Sequence, residues 1–288
     1  MSARIYLNSM SKLTGLLRNR TVFTHYKQWN PRGLRTFATE TGKIELEKHE
    51  IKKGFGLIVV NKEFCVSSGF KNRVGADADI KNTAEFCKIA KIETLSDHNL
   101  KASKMEKLFN TISETDFSSY DAFICFISSH GNFEGICGTD GKAIPRDKIL
   151  KPFKNCTSLE GKPKLFFFQS CGGDKKDTVV RHDKVEADHA NHIVHPFEAD
   201  ILVASSSVKG YTSYRYEKSG SVFITELTKV FKKYAHNMNL TDMLTIVNNE
   251  VSGKNIQVAN DESDHHQVPS FSSTLRKAVC FDVPEPKH

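Results

Sequence analysis

From residue 55 onward, short and almost wholly apolar runs alternate with longer stretches whose apolar residues recur every three or four positions. The apolar runs predict strands buried on both faces, at residues 56–61, 122–127, 165–168 and 201–204. The periodic stretches predict helices over residues 78–90, 103–113, 221–236 and 241–250. Strands that alternate with helices predict an α/β fold, with a central, mostly parallel, twisted sheet flanked by helices on both faces.

Two segments of this region lack either pattern. Residues 172–195 are dominated by Asp, Lys and His, which predicts a linker. Residues 252–266 are polar and show no periodicity, so they predict a long surface loop, and a last strand is predicted within 274–282.

Charge and composition exclude several classes of protein. The chain has 288 residues, 39% of them hydrophobic, and no apolar stretch approaches the roughly 20 residues that span a bilayer, so no membrane insertion is expected. The net charge of +7 comes from seven Lys or Arg within residues 1–39, which contain no acid. The rest of the chain holds 34 basic and 34 acidic residues, which argues against nucleic-acid binding. Seven cysteines without a CxxC pair favour a reducing compartment and indicate neither a disulfide framework nor a metal site.

The basic start has two interpretations. Tyr6, Met10, Leu13 and Leu17 fall on one face of a helical wheel, and the segment is rich in Arg and free of acids. This composition is typical of a mitochondrial presequence, and it is equally typical of a disordered basic tail. The location is therefore mitochondrial if residues 1–45 act as an import signal.

A cysteine and a histidine follow two of the predicted strands. The strand that ends at residue 127 leads into Ser129-His130-Gly131, and the strand that ends at residue 168 leads into Gln169-Ser170-Cys171-Gly172-Gly173. Reactive groups of open α/β sheets lie beyond the carboxyl ends of the strands, so Cys171 and His130 can meet there. A thiolate is a nucleophile, and a nearby histidine supplies a proton to the leaving amine. The other six cysteines are interpreted as packing residues.

These motifs resemble those of the caspase family. Gln169-Ser170-Cys171-Gly172-Gly173 resembles the nucleophile pattern Q-A-C-[RQG]-G, and Ser129-His130-Gly131 resembles the S-H-G motif. Residues 56–61 with 72–79 resemble the family's first strand and its R-x-G-x-x-x-D segment. Residues 161–164 and 213–215 resemble its G-K-P-K and S-[WY]-R motifs.

The resemblance implies a caspase-like fold and a thiol endopeptidase that cleaves after aspartate and uses no cofactor. Arg73 and Arg215 occupy the two arginine positions that hold the acidic side chain, with Gln169 as a further donor; a guanidinium binds a carboxylate bidentately. Ser129, Ser213 and Tyr214 complete the implied substrate site. The amides of Gly131 and Cys171 are implied to form the oxyanion hole, and the Lys71 carbonyl to orient His130.

At four positions the sequence has a residue other than the one commonest in the family. Ser170 stands at the alanine position, and Gly172 stands where arginine or glutamine is commoner. Tyr214 replaces a frequent tryptophan, and Val222 replaces an aromatic residue that often lines the pocket for P4, the fourth residue before the scissile bond. Preferences beyond the residue just before the scissile bond (P1) therefore stay open, and we expect activity to survive these changes.

The resemblance also implies a zymogen organised as an extension (1–45), a large-subunit region (46–174), a linker (175–194) and a small-subunit region (195–288). Val185-Glu186-Ala187-Asp188 has the form of a favourable site, so Asp188 is the predicted point of cleavage. The similar Asp200 precedes a predicted strand, so burial should protect it. Four linker histidines, at positions 182, 189, 192 and 195, allow a zinc site, but a solvated His-rich linker is the preferred interpretation.

Family members act on protein substrates and form homodimers, here predicted to pair through Thr274 to Asp282. They are cytoplasmic by default, and an apoptotic role is implied. A catalytically weak scaffold that acts by binding other proteins is the alternative. Against it stands the joint presence of Cys171, His130, Arg73 and Arg215.

Overall fold

The computed structural model of the chain describes residues 37–38, 44–171, 198–208, 210–258 and 261–285. The chain divides into two units, residues 1–47 and residues 48–288. In the first unit, Phe37–Ala38 and Ile44–Glu45 form a short antiparallel pair. The amphipathic basic segment around residues 6–17, the linker and Asp188 lie outside the described residues.

Seventeen strands and five α-helices are named here in chain order, counting only described residues. The strands are β1 (Phe37–Ala38), β2 (Ile44–Glu45), β3 (Lys48–Ile51), β4 (Gly54–Val60), β5 (Ile92–His98), β6 (Ala122–Ser128), β7 (Gly131–Asn132), β8 (Gly135–Cys137), β9 (Ala143–Ile144), β10 (Lys164–Gln169), β11 (Ile201–Ser205), β12 (Arg215–Tyr216), β13 (Gly220–Ser221), β14 (Ile256–Val258), β15 (Asp261–His265), β16 (Ser270–Ser273) and β17 (Ala278–Phe281). The helices are α1 (Ala76–Ile89), α2 (Ala102–Ser113), α3 (Arg146–Lys154), α4 (Val222–Tyr234) and α5 (Leu240–Ser252). Two short 3-10 helices cover Val66–Ser68 and Thr157–Leu159.

The core of the second unit is a six-stranded sheet in the order β16-β11-β10-β6-β4-β5. Its strands are parallel except β16, which is antiparallel to β11. The register pairs Ser128 with both Val60 and Gln169, so the carboxyl ends of β4, β6 and β10 lie side by side. This alignment brings the loops after these three strands to one edge of the sheet.

Helices cover both faces of the sheet, as the sequence predicts. On one face, α1, α4 and α5 contribute Phe86, Phe231 and Met243 to a buried cluster. On the other face, α2 and α3 contribute Phe109 and Phe153 to a second buried cluster. The central strands β6 and β10 are buried at every position, which explains their continuous apolar runs.

All four predicted strands and all four predicted helices are present, and their ends differ from prediction by at most two residues. Strand β5 was not predicted because it is the edge strand of the sheet and most of its side chains are exposed. It therefore carries no continuous apolar run. Helix α3 was also not predicted; it is short, rich in charge and contains Pro152.

The prediction of a loop over residues 252–266 is wrong. Strands β14 and β15 form an antiparallel hairpin there, with Ile256 and His265 buried. A single buried side chain on β14 gives no detectable period, which is why the sequence pattern failed.

The predicted last strand is present, but it does not form the edge of the central sheet. Within 274–282 only Ala278–Phe281 is a strand, and it pairs with β3 in parallel, outside the six-stranded sheet. The edge strand of the sheet is β16. An ion pair between Arg276 and the buried Asp200 lies where the chain leaves this edge. Thr274 to Asp282 is therefore not the sheet edge through which dimerisation was predicted.

No helix within the described ranges is both long and apolar enough to cross a membrane.

Candidate active site

Cys171 lies just beyond the carboxyl end of β10. Its side chain is partly exposed, and its Sγ atom is 3.7 Å from both the carbonyl oxygen and the hydroxyl of Ser213. The thiol therefore faces the segment that leads into Arg215. An accessible thiol is the first requirement for a nucleophile.

His130 lies beyond the neighbouring strand β6 and is held on three sides. Its Nε2 is 2.8 Å from the carbonyl oxygen of Lys71, as the resemblance implied. The Phe70 ring stacks on the imidazole and the Phe64 ring meets it edge-on, each with its centroid 4.7 Å away. Because a carbonyl can only accept, Nε2 carries the hydrogen in the neutral ring and Nδ1 keeps its lone pair.

Gly131 joins the histidine loop to the cysteine loop. A Cβ atom at Gly131 would lie 2.8 Å from the carbonyl oxygen of Cys171 and 2.9 Å from the Cβ of Ser170. Only glycine allows this close approach. The amide of Ser129 also donates to the carbonyl of Gln169 at 3.0 Å. The structure thus packs the loop that carries His130 and Gly131 against the loop that carries Cys171.

The imidazole is surrounded by groups that disfavour its charged form. Burial lowers the pKa of His130 to about 4, and the nearby positive charges of Arg73 and Arg215 lower it further, whereas the hydrogen bond to Lys71 opposes the shift. His130 is therefore neutral at pH 7 in the protein without substrate.

Arg73 is buried, with 1% of its surface exposed. Its Nη1 donates to the carbonyl of Asn61 and its Nη2 donates to the hydroxyl of Ser128, both at 2.8 Å. The Ser128 hydroxyl in turn donates to Asp79 at 2.7 Å. The Asp79 carboxylate lies 3.9 Å from the Arg73 guanidinium. These contacts fix one edge of the guanidinium in place.

Arg215 is half-buried and donates from Nε to the carbonyl of Val74 at 2.8 Å. The two arginines are close enough to repel each other: burial lowers the pKa of Arg73 to about 10, and the charge of Arg215 contributes. Asp79 compensates only part of this positive charge. An acidic side chain brought between the two guanidinium groups is therefore stabilised electrostatically.

Gln169 and Ser213 are coupled to each other. The buried Gln169 donates from Nε2 to the Ser213 hydroxyl at 3.0 Å, and its Oε1 has no hydrogen-bond partner among the described residues. Tyr214 is held by Gln267, which accepts from its amide at 2.7 Å, and by His265, whose Nδ1 is 3.2 Å from its hydroxyl.

Ser129 differs from expectation. Its side chain is 3% exposed, and its hydroxyl donates to the carbonyl of Cys137 at 2.6 Å. Asn61 donates to the same hydroxyl at 3.2 Å. The Ser129 side chain therefore supports the histidine loop from inside and does not line an open groove.

Sequence reasoning missed the residues that support the site. Asn61 is wholly buried and contacts Arg73, Ser129 and Leu100. A polar residue at the end of an apolar strand is the one sequence feature that could have indicated it. Phe64 and Phe70 gave no periodic signal, because they lie in an irregular loop.

Among the described residues, no group of three His, Cys, Asp or Glu side chains could hold a metal ion. Asp200 is 6% exposed and accepts hydrogen bonds from Arg276, in line with the expected burial. Asp188 and the four linker histidines lie outside the described residues.

Comparison with known proteins adds an independent finding. The family pattern described as "Caspase domain" matches residues 53–280. Caspase-3 of Bos taurus is 35% identical over 232 residues, which cover 79% of this chain and 84% of that protein. Caspase-3 of Mus musculus is 34% identical over 232 residues, covering 79% of this chain and 83% of that protein.

Proposed function

Because the chain belongs to the caspase family, we propose that it is a cysteine endopeptidase that cleaves protein substrates after aspartate. The observation that carries the proposal is the position of two incompletely neutralised arginines, Arg73 and Arg215, beside a partly exposed thiol. Both arginines interact electrostatically with Cys171. A substrate carboxylate that binds them places the following peptide bond at the sulfur.

The reaction follows from the same groups. The Cys171 thiol gives its proton to Nδ1 of His130, and the sulfur attacks the carbonyl carbon of the scissile bond. The amides of Gly131 and Cys171 donate to the oxygen that becomes negative. The C–N bond then breaks, and the leaving amine takes the proton from His130. Water hydrolyses the resulting thioester with His130 as the base.

The low basicity of His130 gives the substrate a second role. A P1 carboxylate brings negative charge to Arg73 and Arg215, two of the groups that depress the pKa of His130. Substrate binding therefore raises the basicity of the imidazole at the moment when it must accept the thiol proton.

We also propose how the protein is activated and how it assembles. We infer that cleavage after Asp188 separates the large-subunit region (46–174) from the small-subunit region (195–288). Two such pairs are proposed to assemble as a homodimer through β16, since this strand forms an edge of the central sheet. An apoptotic role is proposed from the family, and residues 1–45 are either an import signal or a basic tail.

The purified chain and its Cys171→Ala variant test the activity. Hydrolysis of an acetyl-Val-Glu-Ala-Asp fluorogenic peptide by the chain, and its loss in Cys171→Ala, is the expected result. Binding of partner proteins without hydrolysis by either would support the scaffold alternative instead.

Mass spectrometry of the self-processed enzyme tests the activation site. We expect the dominant cut after residue 188 and its disappearance in Asp188→Ala. A dominant cut elsewhere would reject Asp188.

A further inference from the structure

Phe133 is a large apolar side chain that is 77% exposed, three residues after His130. We propose that Phe133 is a specificity-determining residue that binds a large apolar side chain on the leaving-group side of the substrate, within the two residues that follow the scissile bond (P1′ and P2′). The inference rests on the proposed endopeptidase function, because it concerns the same groove.

The backbone that carries Phe133 is fixed at both ends. Strands β7 and β8 pair Asn132 with Gly135, so Phe133 and Glu134 form a two-residue turn. The side-chain oxygen of Asn132 accepts from the amides of Glu134 and Gly135, at 2.9 and 3.2 Å.

Gly135 fixes the far end of the turn. A Cβ atom there would lie 2.0 Å from the carbonyl oxygen of Ile144 on β9, so no other residue fits. The protein therefore presents the Phe133 ring on a pre-organised turn, which lowers the entropic cost of binding.

The chemistry of the site sets the direction of the substrate. Arg73 and Arg215 receive the P1 side chain, and His130 gives its proton to the leaving amine. The P1′ nitrogen must therefore lie beside His130. From there the leaving-group chain passes the hairpin that begins at Gly131, which packs against the backbone of Cys171.

The length of the hairpin sets which substrate positions Phe133 can reach. Phe133 lies two residues beyond Gly131, and two residues of extended chain span about 7 Å. An extended substrate covers the same length with P1′ and P2′. Phe133 is thus the large apolar side chain that this hairpin offers to those positions.

Charge on the turn adds a second preference. Glu134 is exposed beside Phe133. An acidic residue at P1′ or P2′ would meet this carboxylate, so acidic residues are disfavoured there. The predicted preference is an apolar residue over glycine, and glycine over an acid.

Internally quenched peptides test the inference. They share Val-Glu-Ala-Asp before the scissile bond and vary P1′ or P2′ among Leu, Phe, Gly and Asp. The readout is the ratio of kcat/KM for the apolar peptide to that for the glycine peptide, measured for the unchanged enzyme, Phe133→Ala and Leu95→Ala. Taking a ratio cancels general losses of activity. Leu95 is the matched control, since it is also an exposed large apolar residue but lies on the edge strand β5.

We expect an apolar preference of about tenfold in the unchanged enzyme, carried mainly by KM, as for partial burial of one apolar side chain. Phe133→Ala should reduce the ratio to about 1 and Leu95→Ala should leave it unchanged. Equal ratios in the unchanged enzyme and Phe133→Ala would overturn the inference. Failure of the unchanged enzyme to cleave any Asp-containing peptide would instead reject the proposed function.

Discussion

Two serines beside the nucleophile allow a prediction of opposite sign for the same chemical change. Ser170 is 1% exposed, and its hydroxyl has no hydrogen-bond partner among the described residues. Ser206 is wholly buried, but its hydroxyl donates to the Ser170 carbonyl at 2.9 Å and accepts from the Ser170 amide at 3.2 Å. Ser170→Ala removes an unsatisfied group, whereas Ser206→Ala creates two.

The magnitudes follow from these contacts. A buried hydroxyl without a partner costs about 1–3 kcal/mol. The void left by one oxygen atom, about 15 Å³, costs only about 0.4 kcal/mol in return. Ser170→Ala should therefore stabilise the fold by about 1 kcal/mol, and Ser206→Ala should destabilise it by about 1–3 kcal/mol.

The assay is urea and thermal unfolding of both variants in a Cys171→Ala background, which prevents self-cleavage. For a domain of this size, 1 kcal/mol corresponds to a change in Tm of about 2–4 °C. We expect Ser170→Ala to raise Tm and Ser206→Ala to lower it. If Ser170→Ala lowers Tm as much as Ser206→Ala does, the reasoning about the unpartnered hydroxyl is refuted.

Two further predictions concern His130 and two glycines with positive φ. NMR titration of the protein without substrate should give a pKa of about 4 for His130. Arg215→Gln should raise the pKa of His130, because one positive charge is removed. A pKa near 6.5 for His130 in the unchanged protein would contradict the prediction. Since folding lowers this pKa, the unfolded chain binds more protons between about pH 4 and 6.5, and the contribution of His130 to the free energy of unfolding should fall as the pH falls through that range. Gly75 has a φ of 87°, and a Cβ there would lie 2.5 Å from the Tyr216 carbonyl oxygen, so Gly75→Ala should cost more than about 2 kcal/mol in urea unfolding. Gly69→Ala is the matched control, since Gly69 has a φ of 74° with nothing within 4 Å of its Cβ position. This substitution should lower the free energy of unfolding by only about 1 kcal/mol. Equal losses of stability in the two variants would show that backbone strain alone, and not the contact with Tyr216, sets the cost.

The parts of the fold that the sequence predicted are those with a strong burial pattern. Strands β6 and β10 are buried at every position, and α4 carries an apolar stripe, so each has a clear signature. Strand β5 and the hairpin of β14 and β15 lie at edges, where exposure removes that signature. Strand β5 also depends on pairing with β4, which lies far away in the chain, and a local pattern does not encode that pairing.

The site divides in the same way. Cys171, His130, Arg73 and Arg215 were predicted from motifs, and the structure brings them to one edge of the sheet. The contacts that position them join distant loops, such as the Phe70 ring on His130. Those contacts, and the inward position of the Ser129 hydroxyl, are set by tertiary packing and could not be inferred from spacing.

The proposed activity rests above all on the binding of a P1 carboxylate by two arginines. The direct measurement is kcat/KM for three peptides that differ only at P1, with Asp, Asn or Glu. Loss of a buried charged hydrogen-bond partner costs about 2–5 kcal/mol, so Asp should exceed Asn by about 30-fold to several thousand-fold. Arg215→Lys should reduce this preference, because an ammonium lacks the bidentate geometry. Equal cleavage of the Asp and Asn peptides would contradict the binding of a P1 carboxylate by Arg73 and Arg215.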